Sequence, residues 1–208
     1  MKIVSITPIH VTAAELERRQ QRYNRIAPAG VTVELHNLSQ NSPAALDSPT
    51  DVVASDASVK NDIAGSDQAD FDFLMPDCVL DPGFRKGEGE QVVGMLDSVL
   101  ADLTAEGHRI GAVTRNEAIG AELERRVTEY GFADSYAGRE VLNLSFDAIN
   151  DEELWHAALT TAVDNLAAAG ATIVINGCSA VNVEQGRIKL PVVDPAELAL
   201  KIMAKSVI

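Results

Sequence analysis

The chain has 208 residues, 46% hydrophobic and 23% charged, with a net charge of −14. That length fits one large domain or two small ones and buries a sizeable apolar core without covalent staples. No Lys/Arg cluster stands out, since Arg18-Arg19 and Arg125-Arg126 sit among glutamates, so a nucleic-acid or anionic-membrane surface is excluded by repulsion from phosphate. Aromatics are scarce at 4% while Ala and Val abound, which suits packed helices and buried parallel strands. The two cysteines, Cys78 and Cys178, are too few for a disulfide-stapled secreted domain. The apolar opening Met1–Ile6 is stopped by Thr7-Pro8, so no secretory signal is expected, and no run approaches the ~20 apolar residues of a membrane span. The expectation is a cytoplasmic protein with two reduced thiols.

In chain order, Lys2–Ile6 reads as an apolar strand. Thr12 and Glu15 have capping-box spacing and open a helix to about Ile26. Val31–His36 is a strand, and a polar loop covers Asn37–Ser42. Asp51–Ala64 is a weak helix, with Val52, Val53, Val59 and Ile63 able to share one face. Phe71–Met75 is the next strand, its pairing ended by Pro76, with a loop from Asp77 to Gly83. Glu90–Leu103 is an amphipathic helix, His108–Thr114 a strand, and Asn116 the N-cap of a helix to about Tyr130. Arg139–Phe146 is a strand or a long loop. Asn150-Asp151-Glu152-Glu153 opens a helix to Ala169, stopped by Gly170. Thr172–Asn176 is a buried strand, Val192-Val193 a short one, and Pro195–Lys205 the closing helix. Strands alternating with helices predict parallel sheets under right-handed crossovers.

One internal echo carries chemistry. Phe71–Met75 leads to Cys78, and Thr172–Asn176 leads to Cys178, so both thiols lie just past the carboxyl end of a buried strand. In open α/β sheets ligands bind at that edge. Two similar lobes facing each other would put one thiol on each wall of a cleft. Inverting a carbon next to a carbonyl needs a proton removed from one face and another delivered to the opposite face, which two opposed groups can do. Cysteine suits the task because its reference pKa of about 8.5 leaves thiol and thiolate both accessible, and loop N–H groups can hold an enolate oxygen. Taken only as two cysteines, the pair also fits buried small hydrophobes, and a redox sensor that forms a Cys78–Cys178 disulfide stays open.

The segment Cys78-Val79-Leu80-Asp81-Pro82-Gly83 resembles the first cysteine motif of hydantoin and allantoin racemases, Cys-Phe-x-Asp-Pro-Gly, and Asn176-Gly177-Cys178-Ser179 resembles the second. Val92-Val93-Gly94-Met95, Gly111-Ala112-Val113-Thr114 and Pro191-Val192-Val193-Asp194 resemble further stretches of that family, in order, so the likeness spans nearly the whole chain. The resemblance, to the aspartate/glutamate/hydantoin racemase superfamily, implies an α/β fold of two pseudo-symmetric lobes, each a parallel-sheet sandwich, with the active site in the cleft between them. It implies a first lobe of residues 1–97 plus 191–208 carrying Cys78 and a second of 98–190 carrying Cys178. It also implies catalysis by the two thiols, with no metal or coenzyme. Val79, Leu80, Gly177, Ser179 and Ala180 would meet the substrate largely through backbone N–H groups, and Thr114 through its hydroxyl. Thr7-Pro8-Ile9 stands where family members carry an Asn-Pro-Asn segment, so two amide side chains are missing where Pro8 and Ile9 would meet the substrate. Val79-Leu80 replaces the polar Asn beside the first cysteine of amino-acid racemases, which favours a hydantoin or related cyclic ureide. Arylmalonate decarboxylases share the fold but keep one such cysteine, so two favour racemisation. The expected partners are a small-molecule substrate and further copies of the chain.

Other readings are weaker. An Asp/Glu-type racemase or maleate-isomerase-like enzyme of the same fold, and a non-catalytic binding protein, remain alternatives. Gly83, Gly87, Gly89 and Gly94 miss the spacing of a phosphate loop, and Glu88 and Glu90 would repel phosphate. His10, His36, His108 and His156 lack ligand spacing, so no metal site is expected. His10 reads as a solvated loop residue, Trp155 as core, and Asp81 as ordering its turn.

Overall fold

The computed structural model describes residues 1–87, 89, 91–183 and 188–206; Glu88 and Glu90 lie outside them. Two parallel sheets carry the chain. In the first, β1 (Lys2–Ile6) runs between β2 (Thr32–His36) and β3 (Phe73–Pro76). In the second, β4 (Ile110–Thr114) runs between β5 (Tyr136–Val141) and β6 (Ile173–Asn176), and β7 (Val192–Val193) adds to β6. The helices are α1 (Ala13–Ile26), α2 (Pro49–Gly65), α3 (Met95–Ala105), α4 (Glu117–Glu129), α5 (Glu152–Ala168) and α6 (Pro195–Ser206). β4 is buried along its whole length, as a central parallel strand covered on both faces must be. One apolar core runs from Ile3 and Met75 of the first sheet through Leu96 and Leu100 of α3 and Leu200 of α6 to Ile110 and Ile175 of the second. Each of these side chains contributes about 1.5–3 kcal/mol by leaving water. Trp155 belongs to the core of the second sheet, as expected, and its Nε1–H donates to Asn176 Oδ1 at the end of β6 (3.2 Å).

The helix starts follow local chemistry. Thr12 caps α1 by accepting from the Glu15 N–H, Asn116 caps α4 through the Ile119 N–H, and Asp151 caps α5 through the Leu154 N–H. α2 is longer than expected because Ser48 and Asp51 form a reciprocal capping box, with Pro49 in the first turn.

Three expectations are corrected. α3 begins at Met95, because Gln91 and Val93 pair with the free edge of β3: the Leu74 N–H donates to Gln91 O and the Val93 N–H to Leu74 O. Pro76 is the last residue of its strand but stays paired, opposite Ile6, because β3 alternates its N–H groups and the one proline lacks faces away from β1. β5 starts at Tyr136, three residues early, where Gly138 at φ +124° lets the strand shift register against β4. Val192 and Val193 pair with β6 and extend the second sheet.

Two loops are fixed by the strand ends. Asp81, in the left-handed region at φ +49°, turns its carboxylate onto the start of α3 and accepts from the Leu96 and Asp97 N–H groups (2.9 and 3.0 Å). Gly94 provides the space, since a Cβ there would come within 2.6 Å of Asp81 Oδ2. On the other side Gly177 donates its N–H to Val113 O (2.7 Å), packed so closely that a Cβ would overlap that oxygen.

Burial pushes the Asp81 carboxyl up to about 7 against those two N–H groups. Between about pH 4 and pH 7 the folded chain therefore holds a proton that the unfolded chain has released, so this group's contribution to stability falls as pH rises through that window. Urea denaturation across it should show a slope that Asp81→Asn flattens; parallel curves for the two proteins would contradict the assignment. Gly177→Ala should cost about 1–3 kcal/mol, because the Cys178 loop must shift to admit the methyl, and an unchanged denaturation midpoint would refute the close packing.

Candidate active site

Each cysteine stands two residues beyond a strand, Cys78 after β3 and Cys178 after β6. Both are free thiols, Cys78 buried and Cys178 partly exposed. The loops repeat one local device. The Leu80 N–H points to the Cys78 sulfur (3.5 Å), and the Ala180 N–H favours the Cys178 thiolate in the same way. Burial is the larger influence on both. It pushes the Cys78 thiol up to about 12, with Asp77 and Asp81 adding to the rise. It also raises Cys178, opposed by the Ala180 N–H and by Arg19 and Arg22.

The two thiols open into one cavity of about 500 Å³, counting its mouth. Of the residues expected to meet a substrate, Pro8, Ile9, Val79, Gly177, Ser179 and Ala180 line it. Leu80 and Thr114 do not. Leu80 lines a smaller cavity that Cys78 also borders, and its N–H points to the sulfur. Thr114 is fully buried, and its hydroxyl donates to Asn116 O (3.3 Å). Its neighbour Arg115 reaches the cavity instead.

Charged residues that sequence reasoning did not single out build the wall. Asp77 is buried beside Cys78, and its carboxylate accepts from the Tyr23 hydroxyl (2.7 Å) and from Arg19 Nη1 (3.1 Å). Arg19, almost wholly buried, also binds Glu15 through Nε (2.7 Å). The Ser179 hydroxyl donates to the Asp77 carbonyl (3.0 Å) and so joins the two cysteine loops directly. Arg115 donates to Leu46 O (3.1 Å), Asp47 (2.7 Å) and Leu144 O (3.3 Å), which draws residues from both lobes over the cavity. Phe146, whose ring lies 5.7 Å from the Arg115 guanidinium carbon, and Ile149 complete the wall. The only local signals were the adjacency of Asp77 to Cys78 and the Glu15–Arg19–Tyr23 spacing of one helix face.

His10 lies in an open groove next to the cavity, with Nδ1 against Leu38 O (2.8 Å), and is not a lining residue. Among the described residues no group of three or more His, Cys, Asp or Glu could hold a metal ion, and no helix is long and apolar enough to cross a membrane.

Comparison with known proteins adds the family. The allantoin racemase from Pseudomonas fluorescens superposes over 100% of this chain and 91% of its own, with a TM-score of 0.85 at 18% identity. The allantoin racemase from Klebsiella pneumoniae covers 100% and 87%, with a TM-score of 0.80 at 19% identity. The Picrophilus torridus aspartate racemase covers 99% and 94%, with a TM-score of 0.66 at 13% identity. These likenesses speak to the two-sheet α/β fold. No curated protein matches the sequence. The family model for Asp/Glu/hydantoin racemases matches residues 3–203. On that match, the chain belongs to the Asp/Glu/hydantoin racemase family.

Proposed function

We propose that the chain is a cofactor-independent racemase that inverts a carbon next to a carbonyl by proton transfer between Cys78 and Cys178, acting on a substituted hydantoin or related cyclic ureide. The observation that carries this reading is the single cavity into which both thiols open, each from the carboxyl end of its own sheet. One thiolate takes the proton from carbon and becomes a thiol. The C–H electron pair passes into the carbonyl as an enolate. The opposite thiol then gives its proton to the other face of the carbon and is left as the thiolate. The reverse direction exchanges the roles, so no redox partner or leaving group is needed. Loop N–H groups hold the enolate oxygen in a site that excludes bulk water, where such contacts are strongest.

The lining supports this substrate class. An α-amino acid brings a carboxylate and an ammonium, and each needs a buried partner. Asp77 is already bound by Arg19 and Tyr23, and Arg115 by Leu46, Asp47 and Leu144. The other walls are Ile9, Val79, Ile119, Phe146, Ile149 and Ala180. A neutral ring with polar edges suits that surface better than a zwitterion. The likeness to two allantoin racemases points to the same class, because allantoin is itself a ureide.

A panel of single-enantiomer hydantoins, allantoin, aspartate and glutamate, followed by circular dichroism in deuterated solvent, tests the proposal. The expected result is loss of optical activity with a cyclic ureide, and deuterium at the stereocentre of the product. Cys78→Ser and Cys178→Ser should each lower the rate by at least about 10²-fold. Racemisation without label, or either variant near the parent rate, would remove the two-thiol route. Turnover of aspartate or glutamate alone would move the substrate class and leave the route standing.

A further inference from the structure

The two sulfurs share a cavity but not an electrostatic environment. Cys178 follows β6 into a loop held by one face of α1. Both terminal nitrogens of Arg18 donate to Ala180 O at 3.2 Å, Arg22 Nη2 donates to Val181 O (3.4 Å), and Arg22 Nε donates to Asn182 (3.2 Å). Arg19, between them, is a wall residue of the cavity itself. The carboxylates on this side are Glu15, bound by Arg18 and Arg19, and Asp194, bound by Arg22. With Asp77 the local set is three guanidinium groups against three carboxylates, and all three cations belong to the helix that holds the Cys178 loop. Cys78 has the reverse arrangement. Asp77 precedes it directly, and Asp81 follows three residues later, buried with its carboxylate against the start of α3. The remaining cation of the cavity, Arg115, is paired with Asp47 at its rim.

Resting on the two-thiol reading above, we propose that Cys178 is the thiol that gives up its proton first, with Cys78 the resting acid, and that Arg19 is the positioning residue that sets this order. Arg19 acts on both sides of the site: its Nη1 neutralises Asp77, whose charge disfavours both thiolates, and its own charge favours the thiolate of Cys178. An opposite charge within a few ångströms typically moves a group by 1–3 pH units, and like charges move it the other way. The arrangement therefore favours the thiolate at Cys178 over that at Cys78. A racemase with one thiol ready as base and the other ready as acid holds the correct pair of protonation states before substrate arrives.

The test reads each thiol alone. Cys78→Ser leaves Cys178, and Cys178→Ser leaves Cys78. The pH dependence of iodoacetamide labelling, followed by mass spectrometry, gives a midpoint for each; because Cys178 is the more exposed, the midpoint and not the rate is compared. The midpoint of Cys178 should lie below that of Cys78. Arg19→Lys, which keeps the charge, should preserve the separation. Arg19→Met combined with Asp77→Asn removes the ion pair as a unit, so no buried charge is left alone, and should narrow the separation. Coincident or reversed midpoints would overturn the order, and a separation unchanged in the combined variant would overturn the role of Arg19. Deuterium incorporation by the parent enzyme with reversed midpoints would defeat this inference alone, whereas absence of label would defeat the two-thiol reading.

Discussion

Asp77 is the residue on which the geometry of the site turns. Its N–H donates to Ile6 O and continues the register of β3 against β1. Its carboxylate binds Tyr23 and Arg19 of α1, and its carbonyl accepts the hydroxyl of Ser179. Strand, helix and the opposite cysteine loop therefore meet at one buried residue next to Cys78. A carboxylate in this position is costly to bury and is tolerated only with its partners in place. The return is that two loops a hundred residues apart in sequence have little freedom to drift, and the spacing between their sulfurs is held from both sides.

The rest of the fold serves that spacing. Each sheet sends one strand end toward the cleft, and parallel pairing puts both ends at the same edge. α3 and α6 lie in the core shared by the two sheets, so the relative placement of the walls rests on apolar packing. Burial has a chemical consequence as well as a structural one. It raises both thiols, so in the proposed proton transfer the thiol that stays protonated has a proton available to deliver, while its partner is helped toward thiolate by local N–H groups and cations. A cavity that excludes water strengthens each of those contacts.

Much of this was legible in the sequence because it is encoded locally. The caps Thr12, Asn116 and Asp151, the apolar runs of β1 and β6, and the placement of both cysteines after strands are short-range signals. Pro8, Ile9, Val79, Gly177, Ser179 and Ala180, which the family resemblance implied, line the cavity. What escaped depends on partners distant in the chain. Gln91–Val93 carry helix-like periodicity but meet the open edge of β3, and Gly138 hides the start of β5 behind a register shift. Thr114 and Arg115 are neighbours of opposite fate, one turned inward to Asn116 O and the other drawn over the cleft by Leu46 and Asp47. Arg19 looked like one of a surface pair, and nothing near it in sequence announces a partner 58 residues away.

The central claim is that one small molecule between the walls touches both sulfurs at once. Ligand protection measures this most directly, using a hydantoin that carries two substituents on its ring carbon and so cannot lose a proton there. Rising concentrations of this compound should slow alkylation of Cys78 and Cys178 together, with one half-saturating concentration for both. Protection of one thiol while the other reacts at its unprotected rate would contradict the shared site.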